Sequence, residues 1–184
     1  MVILIGKTAS GKDTILNNLV TRHGYKKIIT YTTRPMRDGE KQDVTYHFVD
    51  KSKFRRLIEQ NFFIEWKTYK TVEGNWYYGT SLKDLESADN KTIIILTPDG
   101  YRDVVDKLIN KPVSIYVHAD NLTIKNRLTK RGDDPKEAER RLIHDNEDFK
   151  GLENEINKIV YNNEGNNIDD VVDEIFNFLQ NGEG

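Results

Sequence analysis

Near the start of the chain, Gly6-Lys7-Thr8-Ala9-Ser10-Gly11-Lys12-Asp13-Thr14 sets glycines, hydroxyls and a lysine in the order that phosphate chemistry requires. Gly6 and Gly11 can take backbone angles closed to other residues. The N–H groups from Thr8 to Ser10 can then turn inward around phosphate oxygens, at the positive end of the helix that follows. Lys12 adds a mobile cation for the outer phosphates of a nucleotide, the arrangement of a P-loop. Asp13 stands where a P-loop carries the Ser or Thr whose hydroxyl ligates magnesium, and Thr14 comes one residue late for that role. A carboxylate there can hold the ion directly or through water, while adding negative charge beside the phosphates. The competing reading is a glycine-rich turn with no ligand.

A second group follows in Thr30-Tyr31-Thr32-Thr33-Arg34-Pro35-Met36-Arg37-Asp38-Gly39-Glu40 and Tyr46-His47-Phe48-Val49. Two guanidinium groups with a tyrosine hydroxyl make a clamp for a monophosphate, because each planar fork can bind phosphate oxygens in pairs. Taken alone, paired arginines are ordinarily solvated surface. His23, His47, His118 and His144 lack metal-ligand spacing and read as structural or exposed.

These groups need a scaffold, and the hydrophobic pattern supplies one. The apolar runs Val2-Ile3-Leu4-Ile5, Lys27 to Ile29, Thr92 to Leu96, Val113 to Val117 and Lys158 to Tyr161 read as buried parallel strands. Helical spacing separates them, over Lys12 to Arg22, Lys51 to Gln60, Ser81 to Ser87, Tyr101 to Ile109, Asn121 to Lys130, Pro135 to Lys150 and Ile168 to Gln180. Asp50 and Asp134 are expected N-caps, the latter followed by Pro135 at the first helical position. The alternation predicts an α/β three-layer sandwich around a parallel sheet. Two regions break the rhythm. Residues 31–80 are rich in aromatics, arginine and turn residues, with short antiparallel strands expected around Thr45 to Val49 and Asn75 to Tyr78. Asn126 to Asp148 is densely charged on helical segments. Asn181 to Gly184 is expected to fray.

At 184 residues the chain suits one domain with a real core. Its 28 basic and 30 acidic residues nearly balance, which argues against bulk attraction to nucleic acid or membrane, so an anionic ligand must be held by a local cluster. The absence of cysteine excludes disulfides and thiolate zinc sites. Residues 1–5 are too short for a signal peptide and no apolar run approaches a membrane span, so a cytoplasmic protein is expected, monomeric or homodimeric.

Taken in order, Thr32-Thr33-Arg34-Pro35, Arg37, Gly39-Glu40, Tyr46-His47-Phe48-Val49, Glu65-Trp66 and Tyr77-Tyr78-Gly79-Thr80 resemble the guanylate kinase family over most of the chain. The resemblance implies a P-loop NTPase core (1–30, 81–120 and 149–184), a small β-rich insert (31–80) that binds GMP, and a helical lid (121–148). It implies ATP with Mg2+, GMP or dGMP as acceptor, and contacts to the acceptor's phosphate from Arg34, Arg37, Tyr46 and Tyr78. Thr30 keeps the hydroxyl of a family serine, and Glu65, Thr80 and Asp99 fall where the family reads guanine. The chemistry agrees, since a carboxylate accepts from guanine N1–H and the 2-amino group while a hydroxyl donates to O6. Arg127, Arg131 and Arg141 match the lid arginines, with Arg140 the alternative if the register slips, and Asn162 falls where the family approaches the adenine of ATP. Arg140 reads on its own as part of a solvated face with Glu137, Glu139 and Asp145, Asn162 beside Asn163 as a simple turn, and Asp99 between Pro98 and Gly100 as a turn residue.

Two stretches depart from the family's pattern. Lys67 to Glu73 lengthens the connection between Trp66 and Tyr77, and Leu96-Thr97-Pro98-Asp99-Gly100 keeps one of two usual aspartates. Gly11-Lys12-Asp13 also resembles the P-loop of ribose 1,5-bisphosphate phosphokinases, and a guanylate kinase-like module that binds peptides without catalysis is the reading from another class. Trp66, Trp76, Phe62 and Phe63 read as core or pocket packing in preference to a base-stacking platform for single strands.

Overall fold

The computed structural model describes residues 1–71 and 74–182. Five parallel strands form the central sheet, in the order β2-β7-β1-β8-β9: β2 (Lys26–Lys27), β7 (Thr92–Ile95), β1 (Val2–Ile5), β8 (Val113–His118) and β9 (Lys158–Tyr161). Strand β1 is apolar at every position because both faces are covered, and its side chains divide by alternation. Val2 and Leu4 pack on one side against Ile15, Leu16 and Leu19 of α1 (Lys12–His23) and Val172, Ile175 and Leu179 of α7 (Ile168–Asn181). Ile3 and Ile5 pack on the other against Leu85 of α3 (Leu82–Glu86), Tyr101 and Val104 of α4 (Pro98–Val105), and Phe149 and Leu152. The three layers expected from the sequence are therefore present.

Residues 31–81 supply a second sheet, ordered β4-β3-β6-β5 from β3 (Tyr31–Thr32), β4 (His47–Phe48), β5 (Phe63–Thr71) and β6 (Gly74–Ser81), with α2 (Lys51–Glu59) beside it. The expectation of antiparallel pairing at 45–49 is corrected. Strand β4 runs parallel to β3, because the long excursion between them returns the chain in the same direction, while β6 is antiparallel to both β3 and β5. The lengthened 67–73 stretch is corrected too: residues 67–71 continue β5 and pair with β6 as far as Thr71 opposite Gly74. Val72 and Glu73 lie outside the described residues.

Helices α5 (Asn121–Arg131) and α6 (Pro135–Asp148) pack on each other through Ile124, Leu128 and Leu142. Asp50 and Asp134 cap α2 and α6 as expected, accepting from the N–H of Lys53 and of Glu137. Helix α4 begins and ends earlier than the expected Tyr101 to Ile109. Thr97 caps it by accepting from the Gly100 N–H, Pro98 takes the first turn, and Asp99 is thus helical and not a turn residue. Helix α7 runs to Asn181, one residue past its expected end, and Glu183 and Gly184 lie outside the described residues.

Candidate active site

The loop between β1 and α1 crosses the carboxyl ends of the central strands and is shaped by close contacts. Gly11 has φ +98°, and a Cβ there would stand 2.3 Å from Asn162 Nδ2, so both the backbone angle and the space demand glycine. A Cβ on Gly6 would meet Ser10 Oγ and the Val117 carbonyl, each at 2.6 Å. Ala9 also has positive φ, at 53°. Asn162 is buried and donates to the Ser10 carbonyl at 2.8 Å, while Arg127 donates to the Ala9 carbonyl at 3.1 Å and to Asn162 Oδ1 at 3.4 Å. Asn162 and Arg127 are thus struts under the loop. Lys12 folds back so that Nζ donates to the Lys7 carbonyl at 2.7 Å. Burial lowers its pKa, opposed by the carboxylates of Asp13 and Asp145.

Asp13 and Thr14 lie exposed in the first turn of α1. Among the described residues, no cluster of three or more His, Cys, Asp or Glu side chains is placed to hold a metal. A single carboxylate still suits Mg2+, which takes most of its remaining ligands from phosphate and water.

A cavity of about 290 Å³ lies among this loop, the second sheet and α6. Gly6, Thr8, Lys12, Thr30, Arg37 and Tyr46 line it, as do Glu65, Tyr78, Thr80 and Arg141. The Thr80 hydroxyl donates to Glu65 Oε1, which orients the carboxylate, and burial pushes the Glu65 carboxyl above its ordinary range. Arg34 is placed behind the cavity, nearly fully buried. Its guanidinium grips both oxygens of Glu40, at 2.7 and 2.9 Å, and lies over the rings of Tyr46 and Phe48. Burial opposes ionisation of Glu40, but the Arg34 guanidinium and the Arg37 amide outweigh it and hold the pKa low. Arg37 feels the positive charges of Arg34, Arg141 and Arg131, so cations from the insert and from α5 and α6 converge on the cavity.

The cations of α5 and α6 are held by neighbours, as Arg34 is by Glu40. Arg131 donates to Asp133 through two bonds at 2.6 Å, and Arg141 donates to Glu137 at 2.8 Å. Arg140 also pairs with Glu137, as a helix-face ion pair. Asp99 is outside the cavity, mostly exposed, at 3.4 Å from Arg102 and 4.0 Å from Lys67.

Sequence reasoning missed the contacts of α6 with the loop. The Thr8 N–H donates to Asp145 at 2.6 Å and Lys7 Nζ to Asn146 at 2.6 Å. No local pattern distinguishes Asp145 from the other charges of its helix. It also missed Tyr69 on the cavity wall, although counting by twos along a strand from Glu65 reaches it; Trp76, expected in core or pocket packing, lines the same cavity.

A family model described as guanylate kinase matches residues 1–181. A guanylate kinase of Sulfurimonas denitrificans is 35% identical over 149 residues, covering 78% of this chain and 70% of its own. One from Campylobacter jejuni is 32% identical over 171 residues, covering 89% and 81%. Among solved structures, the crystal structure of guanylate kinase from Anaplasma phagocytophilum superposes with a TM-score of 0.72 at 26% identity, covering 99% of this chain and 86% of that one.

Proposed function

The chain belongs to the guanylate kinase family, and from that premise we propose that it transfers the γ-phosphoryl group of ATP in line to GMP, and to dGMP, giving the diphosphate and ADP. The observation that carries this reading is one cavity lined both by Lys12 and Thr8 of the P-loop and by Glu65, Thr80, Tyr46 and Arg37. The two halves of a phosphoryl exchange thus have their binding groups around one cavity.

The loop's N–H groups, with Thr8 released from Asp145, and Lys12 hold the donor phosphates. Arg37, Tyr46 and Tyr78 hold the acceptor's phosphate, with Arg34 fixed behind them by Glu40. Ionised Glu65 accepts from guanine N1–H and the 2-amino group, an edge that adenine lacks, and dGMP shares both that edge and the phosphate. Arg131 and Arg141 gather charge around the moving group from the helical lid at 121–148, and Arg127 joins them on leaving the Ala9 carbonyl and Asn162. Positioning and electrostatics supply nearly all the catalysis, and no general base is needed because the nucleophile is already a phosphate oxygen. Mg2+ supplies charge neutralisation across the donor phosphates when bound, and Asp13, with Thr14 beside it, would hold the ion. Arg131 and Arg141 must exchange Asp133 and Glu137 for phosphate oxygens, an exchange of one anion for another.

The test is ADP release with ATP and magnesium, offering GMP and, separately, ribose 1,5-bisphosphate. Turnover with GMP is expected, with Lys12→Ala reducing kcat by about 100-fold or more while remaining folded. Turnover confined to the sugar bisphosphate would replace the acceptor. A folded wild type inactive with both would favour the non-catalytic binding module.

A further inference from the structure

The hairpin of β5 and β6 extends well beyond the corner where Glu65 faces Thr80. Strand alternation decides what the extension shows to the cavity. Along β5, Trp66, Thr68 and Lys70 are exposed, whereas Lys67, Tyr69 and Thr71 are half-buried on the face that carries Glu65. Trp76, paired with Tyr69 in register, and Tyr78, paired with Lys67, face the same way and line the same cavity. The lengthened strand therefore adds an aromatic wall to the pocket.

Tyr69 is the member of that wall that reaches the base-reading corner. Its ring stands edge-on to Tyr78, with centroids 5.5 Å apart. Tyr69 lines the cavity beside Thr97, the cap of α4. Thr97 lies close to Glu65: a Cβ built on Gly100 would be 3.2 Å from Thr97 Oγ1 and 3.4 Å from Glu65 Oε2. The phenol thus lines the cavity between the hairpin and the start of α4, on the strand face that carries the carboxylate. A group that offers a polar edge to Glu65 and a flat π-face to Tyr69 is a planar heterocycle.

We propose that Tyr69 positions the acceptor by stacking on the base whose edge Glu65 reads. The inference rests on the reading of the acceptor as a nucleoside monophosphate. Stacking acts on the base and not on the transferring phosphoryl, so it governs KM for the acceptor and leaves kcat and the ATP site alone.

Steady-state kinetics of the wild type, Tyr69→Phe, Tyr69→Leu and Tyr69→Ala, with GMP and ATP varied in turn, tests it. Tyr69→Ala and Tyr69→Leu are expected to raise KM for GMP by about tenfold or more, the range that loss of one base–aromatic stack produces. Both should keep kcat within about threefold and KM for ATP unchanged, as binding lost equally from ground and transition states requires. Tyr69→Phe keeps the ring face and should leave KM for GMP within about threefold of the wild type. Tyr69→Leu retains apolar volume, so it reports on stacking even if the alanine variant fails to fold. An unchanged KM for GMP in Tyr69→Leu, or a rise in Tyr69→Phe as large as that in Tyr69→Leu, overturns the inference while the kinase stands. Equal losses toward GMP and ATP show a general structural role and overturn it as well. A wild type that phosphorylates no nucleoside monophosphate removes the functional reading and this inference with it.

Discussion

Glu65 shows how one residue carries two opposed demands. Burial favours its neutral form, and the carboxyl titrates above its ordinary range. Accepting from guanine N1–H and the 2-amino group requires the ionised form. The sign follows from linkage: GMP binds the deprotonated enzyme, so affinity is full above the raised pKa and lost as pH falls through it. KM for GMP should therefore climb on acidification at a higher pH than an ordinary glutamate would give. Glu65→Gln should abolish that pH dependence and lower kcat/KM for GMP by about 10- to 100-fold, the cost of replacing a charged acceptor by a mismatched amide. A wild-type KM that stays flat through this range, or a Gln variant that keeps the wild-type profile, would remove Glu65 from base reading. Thr80 supports the role by donating to the carboxylate from the neighbouring strand.

At the scale of elements, the strand, loop and helix at the amino end were legible because phosphate-binding geometry requires glycine at fixed places. Gly11 is the clearest of these, with a left-handed φ and Asn162 Nδ2 2.3 Å from any Cβ. Gly11→Ala should destabilise the fold by about 1–3 kcal/mol through backbone strain and the displaced Asn162, read as a drop in Tm. A Tm equal to that of the wild type would mean that the loop adopts another conformation. The strands of the central sheet were equally legible, since burial on both faces leaves continuous apolar runs. Elsewhere local signals misled. Pro98-Asp99-Gly100 has turn composition, yet Thr97 caps it into the first turn of α4. Lys67 to Thr71 seemed loop by comparison with a shorter pattern, but its alternating residues pair with β6 and extend the hairpin. The polarity of β4 could not be read at all, because a two-residue strand carries no directional signal and only tertiary pairing with β3 sets it. Asn162, read as an approach to the adenine of ATP or as a simple turn, spends its side chain on the Ser10 carbonyl, a contact 152 residues distant in sequence.

Across the whole molecule, the parts meet at the carboxyl ends of the central strands, where the P-loop, the second sheet and helix α6 enclose one cavity. Helix α6 rests on the P-loop itself, with Asp145 accepting from the Thr8 N–H. Burial raises the Asp145 pKa, an effect that Thr8 and Lys12 counter. A carboxylate at that amide competes with a donor phosphate for the same N–H. Asp145→Ala should lower KM for ATP by about fivefold, a change on the order of one net hydrogen bond to a charged group, without altering KM for GMP. An unchanged or raised KM for ATP would show that the contact persists beside bound nucleotide. No helix among the described residues is long and apolar enough to cross a membrane. The most direct test of the account is a competition in which ATP, magnesium and equal concentrations of GMP, dGMP, AMP, CMP, UMP and dTMP are offered together and the diphosphates are separated by chromatography. GDP and dGDP as the only nucleoside diphosphates formed besides ADP, at a rate that collapses in Glu65→Gln, is the predicted result. CDP, UDP or dTDP forming at rates comparable to GDP would contradict the assignment of the pocket around Glu65.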